Sequence, residues 1–148
     1  MGARFAGVLA HIRSASGAGP LSLASPLPIP TPVADDSDKT LFQKIADGEV
    51  PADVVYQDDR AVAFRDISPV APTHVLIVPR RPIPRADAVE PEDEALVGHL
   101  LTVARRVAEA EGLSDYRLVV NNGAGAGQSV FHLHVHLIGG RDLSWPPG

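Results

Sequence analysis

Cysteine is absent from this chain of 148 residues, which excludes a disulfide framework, thiolate metal sites and a cysteine nucleophile. No run of 18 apolar residues occurs, so we expect no membrane span. Proteins dedicated to nucleic-acid binding usually carry a basic face, whereas the net charge here is −5, so we expect no nucleic-acid partner. The length fits one globular domain.

Acidic residues are missing from the first 34 positions, where the only formal charges are Arg4 and Arg13. Apolar residues in this stretch follow the spacing of one helical face: Phe5, Val8, Leu9 and Ile12. An acid-free amphipathic start is typical of an organelle transit peptide. We therefore predict that residues 1–38 are a transit-peptide-like or disordered extension, with a mitochondrial location favoured over the cytoplasm or another organelle.

Signals of regular secondary structure begin near Thr40, which can cap a short helix that ends at Gly48. Three strands, a long helix from Pro91 to about Gly112, and two further strands are predicted after it. The predicted strands are residues 54–56, 61–64, 74–78, 116–120 and 130–138. This order predicts an α+β domain over residues 39–148, with a largely antiparallel sheet covered on one face by the long helix.

Three of the six histidines, His132, His134 and His136, are separated from one another by single apolar residues. Side chains on a strand alternate between its two faces, so the imidazoles are expected in one row and the apolar residues in the core. Such a row suits two kinds of chemistry. Imidazoles two residues apart can chelate zinc, and a neutral imidazole can attack phosphorus as a nucleophile.

A glycine-rich segment, NNGAGAGQS at residues 121–129, comes directly before the histidine row. Glycines permit tight turns whose amide groups can face an anion, and Ser129 adds a hydroxyl donor. The segment is not a P-loop, because the Gly-Lys-Ser/Thr sequence of that motif is missing. The loop therefore favours a phosphate ligand over a bare metal ion, although a plain hairpin connection is equally consistent with its composition.

The run QSVFHLHVHLIGG at residues 128–140 resembles the histidine triad (HIT) motif, in which three histidines alternate with apolar residues. Further segments resemble the Hint branch of that superfamily, the histidine triad nucleotide-binding proteins: residues 40–45, 63–80, 98–113 and 139–148. The resemblance covers about residues 39–148, and the extension is most similar to organellar members. It implies a HIT-like antiparallel sheet with one long and one short helix, and a two-fold dimer that forms one continuous sheet.

The resemblance also implies an activity, that of an adenosine 5'-monophosphoramidase (purine nucleoside phosphoramidase). Such a hydrolase splits AMP–amine bonds through a nucleotidyl-histidine intermediate. By this resemblance His134 is the nucleophile and His136 lies beside the phosphate and the leaving group, while His132 and His74 support the row. The implied partners are a purine nucleotide substrate with an AMP moiety and a second copy of the chain; no metal or cofactor is expected.

The resemblance assigns the substrate-binding positions as well. Asp66 is expected at the ribose, and Trp145 at the amine-binding side of the partner subunit. The other positions are Leu41, Phe42, Ile45, Val50 and Ile67 around the base, Asn121 at the ribose or phosphate, and Gly127, Gln128 and Ser129 at the phosphate. His99 is expected to be structural. Alternative functions are a non-catalytic nucleotide-binding regulatory dimer, a dinucleoside polyphosphate hydrolase and a zinc-dependent hydrolase.

Overall fold

The computed structural model describes residues 38–148. The transit-peptide hypothesis for residues 1–38 lies outside these residues, apart from its last position, and stays a prediction. Within the described part of the chain, no helix is both long and apolar enough to cross a membrane.

A short helix, α1, opens the domain at Leu41–Ala46. It begins there because the Thr40 hydroxyl accepts a hydrogen bond from the Gln43 amide at 3.1 Å, which satisfies a free donor of the first turn. The helix is followed by Gly48, whose φ of +77° reverses the chain without the steric cost that a side chain would bring.

Five antiparallel strands form one sheet in the spatial order β1-β2-β3-β5-β4. The strands are β1 Val54–Gln57, β2 Ala61–Arg65, β3 Thr73–Pro79, β4 Tyr116–Val119 and β5 Val135–Gly139. The central strand β3 is buried along its whole length, whereas β1 and β4 are the two edges. The predicted α+β class with an antiparallel sheet is therefore confirmed.

The long helix α2, Glu94–Ala110, covers one face of the sheet. A turn at Pro91–Asp93 leads into it, and the Glu90 and Asp93 side chains each accept a backbone amide hydrogen bond from the other residue. Its buried stripe packs on strands β2, β3 and β5. The opposite face carries a smaller apolar cluster made of Phe42, Ala46, Val62, Phe64, Leu76 and Val78, to which α1 contributes the first two.

The last strand is shorter than predicted, since the expected strand over residues 130–138 is found only at Val135–Gly139. The neighbouring strand β3 ends at Pro79, whose carbonyl accepts a hydrogen bond from the His132 ring at 2.7 Å. The Leu133 amide donates instead to the carbonyl of Ile83, at 2.6 Å. Residues 130–134 therefore lie next to a segment without regular secondary structure and do not form the hydrogen bonds of a β-sheet.

The predicted alternation nevertheless extends through this irregular stretch. Leu133, Val135 and Leu137 are all buried in the core under α2. His134 lies on the other side, where its ring meets Phe42 of α1. The histidine row is thus set partly by β5 and partly by side-chain and backbone hydrogen bonds just before it.

Candidate functional site

His134 is held in one tautomer by its own neighbourhood. Its Nδ1 lies 2.7 Å from the backbone oxygen of His132, and because a carbonyl can only accept, Nδ1 carries the proton. The ring is buried and meets the edge of Phe42 at a centroid distance of 4.9 Å. The remaining nitrogen, Nε2, has a free lone pair and no hydrogen-bond partner among the described residues. This is the form in which imidazole is a nucleophile.

Burial lowers the pKa of His134, and this effect outweighs the hydrogen bond to the His132 carbonyl and the nearby charge of Asp66, which both raise it. Burial likewise lowers the pKa of His136, to about 4, with further lowering from His134 and His74. Both imidazoles are therefore neutral near pH 7.

His136 has the opposite tautomer to His134. The Val70 amide donates to His74 Nδ1 at 3.2 Å, so the proton of His74 lies on Nε2. That Nε2 lies 2.9 Å from His136 Nδ1, which must then accept. The single proton of neutral His136 is consequently on its Nε2. The rings of His134 and His136 are 4.9 Å apart between centroids, so a ring with a bare nitrogen neighbours a ring with an N–H donor.

His132 is buried, and both of its ring nitrogens form hydrogen bonds within the protein. Its Nε2 donates to the Pro79 carbonyl at 2.7 Å, which leaves Nδ1 to accept from the Thr40 hydroxyl at 3.2 Å. Desolvation by burial lowers its pKa, so this ring too is neutral. With both nitrogens occupied, His132 positions the backbone carbonyl that binds His134.

A cleft of about 720 Å³ lies on the same face of the sheet as α1. It is lined by Leu41, Phe42, Ile45, Val50, Pro51, Ala52, Asp53, Phe64, Arg65, Asp66, Ile67, Pro69, Leu76, Ser129 and Val130. All five residues expected around a base are in this set, as are Asp66 and Ser129. The cleft is therefore mainly apolar, with few polar groups at its wall, as small-molecule sites usually are.

Asp66 is fixed at the wall of this cleft. One carboxylate oxygen accepts from the Ser68 amide at 2.7 Å, and the other lies 3.5 Å from His74 Nε2. Its backbone amide donates to the His74 carbonyl at 2.9 Å. The carboxylate thus links the wall of the cleft to the histidine network.

The glycine-rich loop was expected to direct amides toward a phosphate, but amides of the loop form hydrogen bonds within it. The amides of Gly127 and Gln128 donate to loop carbonyls at 3.0 and 3.1 Å, so neither is free for an anion in this conformation. The buried Gln128 side chain accepts from the Gly123 amide and donates to the Pro84 and Val130 carbonyls. Gln128 therefore shapes the loop, whereas Ser129 is exposed and lines the cleft.

Four of the expected substrate positions do not line the cleft: Gly127 and Gln128 of the loop, Asn121 and Trp145. Asn121 is half-buried, with its amide nitrogen 3.6 Å from where a side chain on Gly127 would begin. Trp145 is 83% exposed in the C-terminal segment, which Arg117 holds through the Ser144 carbonyl at 2.6 Å. Neither residue lines the cleft within the described chain. His99, expected to be structural, lies 2.6 Å from Asp58 through its Nε2 and does not contact the row.

One set of side chains has the spacing of a metal site. A nitrogen of His74, a nitrogen of His136 and a carboxylate oxygen of Asp66 lie within 4.8 Å of one another. The Val70 amide, however, leaves the proton of His74 on the nitrogen that faces the other two groups. That nitrogen has no lone pair for a cation, so the arrangement fits a hydrogen-bond network better than a metal centre.

Three partners of the histidine rings were not predicted from the sequence. They are the Val70 amide, which donates to His74, and the Pro79 carbonyl and Thr40 hydroxyl, which bind His132. Thr40 was visible as a helix cap. The two backbone groups carry no side-chain signal, since their roles depend on where the chain places them.

Comparisons with known proteins identify the family of the domain. The family model of the HIT domain matches residues 47–143. An uncharacterised HIT-like protein of Synechocystis sp. is 54% identical over 113 residues, which are 76% of this chain and 99% of that protein.

Two solved structures are similar to the domain. A HIT family hydrolase from Legionella pneumophila is 51% identical, with a TM-score of 0.73 over 74% of this chain and 100% of that one. A histidine triad nucleotide-binding protein from Candida albicans is 30% identical, with a TM-score of 0.65 over 73% of this chain and 83% of that one. The sequence match, the shared fold and the histidine row place this chain in the HIT domain family.

Proposed function

We propose that the protein hydrolyses nucleoside 5'-phosphoramidates, typically AMP–amine bonds, to a nucleoside monophosphate and an amine. The observation that carries the proposal is the pair of opposite tautomers. His134 offers an unprotonated Nε2, and the adjacent His136 offers an Nε2–H donor. A nucleophile beside a donor is the arrangement that attack on an anionic phosphorus requires.

In the first step, His134 Nε2 attacks phosphorus and forms a P–N bond. The original bond from phosphorus to the amine breaks, its electron pair stays on the amine nitrogen, and the amine takes up a proton from solvent. His136 Nε2–H donates a hydrogen bond to the reacting phosphoryl group. The nucleotidyl-imidazole of His134 is cationic, and its Nδ1–H remains hydrogen-bonded to the His132 carbonyl, which stabilises that charge.

In the second step, water attacks phosphorus and the bond to His134 breaks. The nucleoside monophosphate leaves, the proton of the water passes to solvent, and His134 returns to its neutral form. Its pKa is lowered by burial, so the ring does not retain a proton that would block the next cycle.

The nucleoside is proposed to occupy the apolar cleft, with the base among the side chains of α1 and the residues around it. Asp66 is proposed to accept from the two ribose hydroxyls, since a carboxylate can accept both. The names of two similar structures, a HIT family hydrolase and a histidine triad nucleotide-binding protein, support a nucleotide as substrate.

A substrate comparison tests the proposal. We expect the purified chain to release amine from AMP–lysine and AMP–tryptamine much faster than it cleaves diadenosine polyphosphates. Nucleotide binding without release of amine would instead indicate the regulatory, non-catalytic alternative. Activity abolished by a chelator and restored by zinc would indicate the metal-dependent one.

We also propose that the working form is a two-fold dimer joined at β4 and α2, within the same Hint-type assignment. Edge strand β4 has unpaired backbone groups, and apolar side chains are exposed on or beside it and on α2: Tyr116, Leu118, Val120 and Leu101. A second copy would extend the sheet and bring its exposed Trp145 toward the amine-binding side of this site, where an indole can stack on a leaving group.

A further inference from the structure

We infer that Arg141, outside the histidine row, is a positioning residue that sets the tautomers of His74 and His136 through the backbone of Val70. The inference rests on the proposed function for its kinetic consequence, although its structural part stands alone. Arg141 Nε donates to the Val70 carbonyl at 3.0 Å. The amide of the same Val70 donates to His74 Nδ1, and His74 in turn faces His136.

Arg141 reaches Val70 because the C-terminal segment packs closely on the loop between β2 and β3. Gly140 has a φ of +89°, and a side chain there would begin 3.0 Å from Pro72 of that loop. The chain turns at this contact, and the Arg141 side chain then spans to the loop. A second nitrogen of Arg141 donates to the Asp142 carbonyl at 2.9 Å, which restrains the guanidinium.

Val70 needs such a restraint. Its side chain is 56% exposed, so packing does not fix its orientation. Among the described residues, Arg141 is the hydrogen-bond partner of its carbonyl. Without Arg141 the carbonyl would be free to turn toward water, and the amide on the same residue would lose its fixed direction toward His74.

The tautomers follow from that amide. If His74 Nδ1 loses its donor, the proton can move to Nδ1 and leave Nε2 bare. Two lone pairs would then face each other across 2.9 Å, unless His136 moves its proton to Nδ1. His136 Nε2 would then have no hydrogen for the phosphoryl group. The carboxylate of Asp66, 3.5 Å from His74 Nε2, still favours the original tautomer, so the loss is partial.

The experiment measures ring tautomers and kinetics on the full chain labelled with ¹⁵N-histidine. In the wild-type protein, NMR should show both His74 and His136 protonated on Nε2. In Arg141→Ala a fraction of each should shift to the Nδ1–H form. The value of kcat for AMP–lysine should fall by about threefold to tenfold, the effect of one ordinary hydrogen bond, while AMP binding stays within about twofold.

Three variants separate positioning from general stability. Asp142→Ala changes the neighbouring residue and leaves the hydrogen-bond chain intact, so tautomers and kcat should match the wild type. Arg141→Lys keeps one donor and should give intermediate values. Arg141→Met keeps the length without the donor, and should reproduce the alanine result if the alanine variant folds poorly.

Unchanged tautomers in a folded Arg141→Ala or Arg141→Met protein would overturn the inference, even if kcat fell. An Nδ1–H form of His74 in the wild type would also overturn it without any variant. If the wild type cleaves no phosphoramidate, the proposed function fails, and the tautomer measurement still decides the role of Arg141.

Discussion

At the residue scale, the proposed chemistry depends on imidazoles that stay neutral. Burial lowers the pKa of His134, and burial with neighbouring histidines lowers that of His136 to about 4. A lowered pKa means that the neutral form persists below the value of about 6.5 of a free histidine. Both rings are therefore in the neutral form that the reaction needs at pH 7.

The pH dependence should show this directly. We expect kcat/KM for AMP–lysine to fall to half its value only below pH 6.5, because both rings take up protons at a lower pH than a free histidine does. A profile that already loses half its value at or above pH 6.5 would contradict neutral, desolvated histidines. Stability should weaken over the same acid range, because the unfolded chain binds protons there that the folded His136 does not.

At the element scale, α1 is linked to the histidine row through one hydroxyl. Thr40 Oγ1 accepts from the Gln43 amide as the helix cap and also lies 3.2 Å from His132 Nδ1, to which it donates. Thr40→Val should lower the free energy of unfolding by about 1 kcal/mol, the usual cost of a lost cap, and should also reduce kcat. Urea titration measures the first effect, and turnover of AMP–lysine the second.

Thr40→Ser provides the matched control, since it keeps the hydroxyl and removes only a methyl group. It should retain most of the stability and activity. A valine variant as active as the serine variant would show that the contact with His132 has no role in catalysis.

The elements also show what the sequence could and could not specify. Alternating apolar residues predicted the sheet and the burial of Leu133, because side-chain direction follows local periodicity. The predicted start of the last strand, at residue 130, was wrong because strand pairing is non-local and the strand begins at Val135. The pairing of β5 depends on where its neighbour β3 ends, which is Pro79. The Pro79 carbonyl then accepts a hydrogen bond from the His132 ring instead of from a strand amide.

Some features of the candidate site could likewise be predicted from the sequence, and others could not. The cleft residues could be predicted from family resemblance, and Leu41, Phe42 and Asp66 do line one cavity. The hydrogen bond of the Gln128 side chain to the Gly123 amide could not be predicted, and neither could that of the Val70 amide to His74. Both involve backbone amides, whose partners cannot be identified from residue types. Tautomers therefore had to come from the three-dimensional structure.

At the scale of the whole molecule, the proposed dimer requires that β4 pair with a second copy. Leu118 is 37% exposed on this edge strand. Leu118→Lys would place a charge in the proposed interface, so sedimentation at micromolar concentration should show a dimer for the wild type and a monomer for the variant.

Val54→Lys is the control for this substitution. Val54 is 40% exposed on β1, the opposite edge of the sheet, and should tolerate a lysine without dissociation. A wild-type monomer, or equal dissociation by both variants, would contradict an interface at β4.

The proposed reaction passes through a covalent bond between phosphorus and His134 Nε2. Its most direct test is to quench turnover of AMP–lysine in neutral denaturant, which spares the acid-labile P–N bond, and to map the adduct by mass spectrometry. We expect an AMP-sized addition on His134 that is absent from His134→Ala. Single-turnover kinetics in which amine and AMP appear together with no protein-bound nucleotide, or an adduct on any other residue, would contradict it.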